Sequence, residues 1–427
     1  MNIIERAQGF VESLLSLAKH DWRQCPDCGK RATQKYGSYT RRPFGDQGRT
    51  VRRVQRHWCH NCRKTYSEQA ADLIRRGWYT RAVRRKAMEM QVFLGVSTRK
   101  TAEWLRAEIG KRGRYLAWHL LARLLPLSAE DCHLCVRTLL RWQAQAGFVA
   151  AQSIIGQLAR IASSGEKAVD GLWVRLHDGT KRVVLLLVDC VTGLVYPPVV
   201  TRGEESAAPW ETLFARAAVA GLDLSRINGL VSDGANGLLS YLQQALPWVH
   251  QQRCKWHLWR SAGGRIATQV KAAIAGLDGE AAKAVAQQVR DSLGGALHAI
   301  LDAPSYTEAE EALAQLRLLA WGEPLARWLE PLLDAALMYL MPNHQGLSAV
   351  SPEWLWRDYR LRLSHGRNHG SELRLEWASL IWAIYHNFEP TQGRSEQKRK
   401  YRHPGQSPLE VAGAPPGNLS YLDALGI

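Results

Sequence analysis

The chain has 427 residues, room for roughly two to four domains with a sizeable core, and a formal charge of 56 − 39 = +17. No apolar run is long enough to span a bilayer and the first residues lack a signal-peptide pattern, which argues against a helical membrane protein. Eight cysteines, four of them in two C-x-x-C pairs, point to metal binding in a reducing compartment rather than to disulfides. The charge is unevenly placed. Residues 1–150 carry 29 Lys+Arg against 12 Asp+Glu, or +17, and residues 151–427 carry 27 of each, or zero. A phosphate-binding module is therefore expected at the N-terminal end.

In chain order, Asn2–Lys19 has the spacing of a short amphipathic helix, with Ile3, Phe10, Leu14 and Leu17 on its apolar face. Cys25-Pro-Asp-Cys28 and Cys59-His-Asn-Cys62 then supply four thiolates spaced for one tetrahedral zinc, as in a zinc ribbon. His57 and His60 lie beside the second pair but find the site already filled. From Thr80 to about Leu125 the text is helical, broken at Gly95, with Ser97 or Thr98 as the next cap. This predicts a helix-turn-helix whose recognition helix runs from Lys111-Arg112-Gly-Arg114 to Leu125. Cys132-His-Leu-Cys135 has ligand spacing but no second pair in reach, and reads as structural.

Gln152–Ser164 is a connector. Asp170 follows on a strand, and a second apolar strand, Val183–Val188, ends at Asp189, which reads as a turn residue before Thr192-Gly193. A third strand is expected over Leu194–Val200 and a crossover helix over Pro209–Ala220. The strand Ile227–Val231 delivers Asp233 into a turn made by Gly234 and Gly237. A carboxylate at the end of a buried strand, followed by glycines, is where an α/β sheet places its chemistry. Helical spacing covers Leu238–Leu246, Pro247 stops it, and a strand opening at Val249 is expected to end in Cys254-Lys-Trp-His257.

Residues 266–353 hold 5 basic and 11 acidic residues (5 − 11 = −6), rich in Ala and Leu, with breaks at Gly294-Gly295, Pro304, Pro324, Pro331 and Pro342. They read as an all-helical insertion that is no general DNA surface. A last helix has Leu373, Trp377, Leu380, Ile381 and Ile384 as its stripe, with Glu372 and Glu376 four apart on a neighbouring face. The polar, basic stretch after it is suited to running along DNA.

The elements around Asp170, S-D-G-A-N-G at Asp233 and C-K-W-H at Cys254–His257 resemble the Mutator-like DDE transposases. The resemblance covers roughly residues 165–400. It implies an α/β fold with an RNase H-like mixed sheet and an all-α insertion, behind the N-terminal zinc ribbon and helical DNA-binding domain. The implied boundaries are 1–70 for the ribbon, 75–150 for the helix-turn-helix, 160–265 and 363–400 for the catalytic core, 266–362 for the insertion, and 401–427 for a tail. It further implies that Asp170, Asp233 and a glutamate hold two magnesium ions, manganese able to substitute, that cut DNA and transfer the strand. Asn368, Glu372 and Arg374 approximate the family's pattern around the glutamate, one residue longer than usual, and Glu376 and Glu389 are the alternatives. Cys254 and His257, with Arg112 and Arg114, are candidates for positioning DNA. Expected partners are the terminal inverted repeats and target DNA, bound by a homodimer or larger oligomer in a prokaryotic, nucleoid-associated setting. A DNA-binding regulator with an inactive core, or a nuclease without strand transfer, stays open as an alternative.

Overall fold

The fold is that of a computed structural model, which describes residues 23–46, 48–68, 72–73, 77–120, 134–158, 161, 163–203, 206–344, 353–363, 369–390, 405–414 and 420–427. The helix expected over Asn2–Lys19, Asn368 and the basic stretch up to His403 lie outside these residues.

Alternating basic and apolar residues form the first sheet. Strand β1 (Thr33–Arg41) is followed by the short hairpin β2 (Phe44–Gly45) and β3 (Gly48–Arg49), then by β4 (Arg52–Cys59) and β5 (Thr65–Ser67). β4 lies between β1 and β5, antiparallel to both. The two cysteine pairs sit in turns at one end, closed by Gly29 N–H to Cys25 O and Arg63 N–H to Cys59 O, each 2.9 Å.

Helices α1 (Arg81–Val92) and α2 (Thr98–Leu120) follow, joined through Gly95 at φ +62°, and Ser97 Oγ accepts from Lys100 N–H at 3.3 Å. The predicted break and cap are present. The separate recognition helix starting near Lys111 is not, because α2 runs unbroken from Thr98 through Arg112 and Arg114. Its Gly110 and Gly113 cost about 1 kcal/mol each, too little to stop a helix otherwise built of strong formers. Helix α3 (Val136–Leu158) completes a core in which Phe44 and Tyr79 pack with Val83, Leu105 and Trp142, tying the β2–β3 hairpin to the helices.

The central sheet has five strands: β6 (Glu166–Arg175), β7 (Lys181–Asp189), β8 (Val199–Thr201), β9 (Gly229–Ser232) and β10 (His250–Arg253). Their order is β10-β9-β6-β7-β8, with β6, β7 and β8 antiparallel and β9 and β10 parallel to β6. Helices α4 (Ala208–Val219) and α5 (Asn236–Ala245) provide the crossovers that parallel pairing requires. Leu185, Leu186 and Leu187 of β7 are all buried, since both sheet faces are covered. The expected third strand is shortened. Pro197 and Pro198 have no N–H to offer, leaving an isolated Val188–Val195 bridge and then β8.

β10 ends at Arg253, opposite the last residue of β9, and Cys254 caps α6 (Lys255–Ala273). Lys255, Trp256 and His257 thus form the first turn of a helix rather than the end of a strand, correcting the sequence reading. The helical body continues through α7 (Gly279–Leu301), α8 (Tyr306–Leu318), α9 (Glu323–Leu329) and α10 (Leu333–Ala336), around its own leucine core. Gly294-Gly295 does not break α7. Leu293 and Leu297 on either side are fully buried, and that packing outweighs the glycines' low propensity. Gln252 links this body to the sheet, donating to Ala336 O at 2.7 Å and accepting from Tyr339 N–H at 2.9 Å.

Helices α11 (Glu353–Leu363) and α12 (Glu372–Phe388) return to the sheet. The buried stripe of α12 contains Leu375, Leu380, Ile381 and Ile384, whereas Leu373 is 52% exposed and Trp377 half-buried. The C-terminal segment also departs from expectation. Its apolar residues Leu409, Leu422, Leu425 and Ile427 enter the main core, on α13 (Pro408–Val411) and α14 (Tyr421–Ala424), each fixed by a capping box.

Beneath the sheet, the fully buried Lys167 Nζ meets Asp189 Oδ2 at 2.9 Å, and Ser164, Val191 and Thr192 N–H groups saturate that carboxylate. Burial alone would raise the Asp189 carboxyl, but Lys167 and these donors bring it below the usual range. Lys167→Met or Asp189→Asn should therefore lower the unfolding free energy of the full chain by about 3–5 kcal/mol, read by denaturant titration, because each leaves an unpaired buried charge.

Candidate metal centres and nucleic-acid site

The N-terminal thiols converge. Cys25 Sγ and Cys62 Sγ are 3.6 Å apart, as are Cys28 Sγ and Cys59 Sγ, and all four form one cluster. Tetrahedral zinc with bonds of about 2.3 Å needs sulfur separations of about 3.8 Å, so the cluster fits a zinc site. The Lys30 backbone N–H holds the Cys28 thiol down to about 6, while burial and the other three cysteines push Cys62 up to about 12, so four crowded thiols share their protons unevenly until a cation takes their place. His57 stays out of the cluster. It is buried, meets Glu68 Oε1 at 2.8 Å and stacks on Tyr66, a structural role that matches the sequence reading. Few side chains of this sheet are buried, Val54, His57 and Cys59 chief among them, so a metal bound at the cluster would supply much of its folding energy. Purified protein should carry about one zinc per chain, and Cys59→Ser should lose it and expose residues 23–68 to protease while the rest stays compact, as read by metal analysis and limited proteolysis.

A second cluster joins Asp170, Asp233 and His257, whose ligand atoms lie within 4.8 Å of one another. Three different elements deliver them. Asp170 sits in the middle of β6, at the centre of the sheet, and is 3% exposed. Its Oδ1 accepts from Gly171 N–H and its Oδ2 from the Trp356 indole N–H, both at 2.8 Å. Asp233 follows the last residue of the neighbouring parallel strand β9 and is half-buried, with Oδ1 accepting from Ala235 N–H at 2.9 Å. His257 arrives from the first turn of α6. One divalent ion with bonds of about 2.1–2.3 Å spans such a donor set with small side-chain movement, and an imidazole nitrogen beside two carboxylates suits manganese or another transition ion better than magnesium alone.

The C-x-x-H pair is thereby divided. His257 faces the aspartates, while Cys254, 3% exposed, packs with Ala168, Cys190 and Val231 beneath them. The α2 side chains of Arg112 and Arg114 and residues Cys132 and His133 lie outside the described structure; Cys135 is exposed.

The glutamates are elsewhere. Glu372 Oε2 accepts from Arg182 Nε at 2.6 Å, Glu376 is paired with Arg216, and neither joins the aspartate cluster. Arg182 stands four residues along β7 from Leu186, the partner of Asp170, a distance of about 13 Å along a strand. Glu389 caps the far end of α12. The helix that does reach Asp170 is α11. Its Trp356 is 1% exposed, and its Tyr359 and Asp358 bond Ser379 and Trp382 of α12 at 2.8 and 3.0 Å. The sequence reading passed over Trp356, whose only signal is the W-L-W-R-D run, indistinguishable from ordinary core spacing.

Trp356→Phe keeps the ring but removes the donor that fixes Asp170. Loss of such a supporting hydrogen bond costs about 10–100-fold in metal affinity. Manganese titration of the variant should show that loss with the fold intact by circular dichroism.

No curated protein matches the chain. Residues 198–344, which run from β8 through the helical body and include Asp233, Cys254 and His257, match the family model described as Transposase, Mutator family, and this supports a transposase of the Mutator type.

Proposed function

We propose that the chain is a transposase that grips DNA through its basic N-terminal 150 residues and cuts and joins it at the Asp170–Asp233 site, with magnesium or manganese as cofactor. The meeting of Asp170, Asp233 and His257 from three elements separated in sequence carries this reading. The strand order, three antiparallel strands followed by two parallel ones, supports an RNase H-like core. The charge of the first 150 residues, 29 − 12 = +17, supports phosphate binding there.

In cleavage, water adds to phosphorus and the DNA 3′ oxygen leaves. In joining, the freed 3′ hydroxyl adds to a target phosphorus and displaces a target 3′ oxygen. Divalent ions, when bound, supply the activation of the attacking oxygen and stabilise the leaving one. Asp170 and Asp233 would hold them, Trp356 N–H fixing the first carboxylate and the Ala235 N–H the second. The N-termini of α5 and α6 beside the aspartates present backbone N–H groups to phosphate oxygens.

Among the described residues no third carboxylate joins Asp170 and Asp233. Glu372 could serve only by leaving Arg182.

Nicking of a supercoiled plasmid carrying the reading frame and its flanking DNA tests these assignments. Asp170→Asn and Asp233→Asn should each abolish nicking, a loss of several kcal/mol of transition-state stabilisation, with DNA binding retained. Manganese should support the reaction at least as well as magnesium. Glu372→Gln should be mild while Arg182 holds that carboxylate; loss of nicking in that variant would make Glu372 the third acid. Normal nicking by both aspartate variants would end the assignment, and nicking without joined products would make the chain a nuclease.

A further inference from the structure

Arg253, the last residue of β10, has a placement that packing alone does not explain. Side chains alternate along the strand: Gln252 turns to the helical body, while Gln251 and Arg253 take the other side, toward Ser232 and Gly234. The Nη1 end of the guanidinium lies against Gly234. A Cβ built there would stand 1.1 Å from Nη1 and 2.2 Å from Cζ. Gly234 also has φ +77°, so both its conformation and its missing side chain serve the turn that carries Asp233 and seats this arginine.

The group is half-buried, and its Nε–H is buried with no hydrogen-bond acceptor among the described residues. No carboxylate closes an ion pair with it at 4.0 Å or less among those residues, although Asp233 is near enough to favour its charge against the cost of burial. A guanidinium fork held beside Asp233, with its Nε–H unspent, matches an anion brought in from outside. Arg is suited to two oxygens of one phosphate, which its planar donors meet together.

We propose that Arg253 binds the non-bridging oxygens of the phosphodiester being cut at the Asp170–Asp233 site, with Gly234 as the seat that holds its guanidinium in place. This rests on the reading of that site as a DNA-cutting centre. As water adds to phosphorus, negative charge grows on those oxygens, and a fixed cation stabilises it more than it stabilises the resting diester. A cation beside the carboxylates should at the same time weaken divalent-ion binding slightly. An arginine that merely braced Asp233 would strengthen it.

The two roles separate by experiment on the full chain, with manganese alone as the binding probe and the flanked supercoiled plasmid as substrate. Arg253→Ala should slow manganese-dependent nicking by about 10²–10³-fold, the range for loss of one oxyanion donor, with manganese affinity unchanged or tighter. Arg253→Lys, which keeps the charge without the fork, should fall between. Added guanidinium ion should restore part of the activity of Arg253→Ala and none of Asp170→Asn. Manganese affinity that falls along with nicking in Arg253→Ala would make the residue a brace for Asp233 and overturn the proposal, as would wild-type nicking rates in that variant. Should the wild-type chain fail to nick, or Asp170→Asn nick equally well, the DNA-cutting reading itself falls and takes the role of Arg253 with it.

Discussion

Two carboxylates with ligand atoms no more than 4.8 Å apart repel one another by about 3.5 kcal/mol at an effective dielectric near 20. No chain brings such groups together without a rigid frame and compensating donors. Here the frame is the pairing of β6 with β9, which sets Asp170 and the turn bearing Asp233 on neighbouring parallel strands. The donors are the Trp356 indole and the N–H groups of Gly171 and Ala235. Much of the architecture serves this juxtaposition: the sheet fixes the backbone, the crossover helices permit the parallel pairing, and α11 reaches over to pin the buried acid.

The frame is anchored from below by a different electrostatic device. Lys167 and Asp189 are both fully buried and bonded to each other, three residues before Asp170 on one strand and at the end of its neighbour on the other. Their register pair, Lys167 opposite Asp189, also locks β6 against β7. A slip of one residue would unpair both charges and turn Asp170 to the wrong face, so the ion pair specifies the register on which the site depends.

Local signals in the sequence made much of this visible. The four cysteines announced their cluster by spacing alone, Gly95 marked the turn between α1 and α2, and Asp170 and Asp233 were picked out by their place on apolar strands. What escaped was set by tertiary contact. The first turn of α6 reads like a strand end, because nothing local distinguishes Cys254 as a cap from a residue that continues the ladder. Glu372 and Glu376 have helical spacing and the right neighbours in sequence, yet Arg182 and Arg216 claim them in space. Trp356 looks like any core aromatic until its indole is seen against Asp170. The C-terminal segment reads as polar between its few apolar residues, and those few decide its fate by entering the main core.

The helical body between β10 and α11 has a temporal meaning. It is built of contacts between successive helices around a leucine core, the kind that forms quickly and locally. Trp356, however, lies 186 residues after the acid it holds. At ribosomal speeds of 5–20 residues per second that gap corresponds to on the order of ten to forty seconds of synthesis. During that interval the remaining central strands and then the helical body are made, while Asp170 still lacks its indole. The growing chain thus carries both acids of the cluster well before it can fasten them, and the last fastening waits until the helical body has been made.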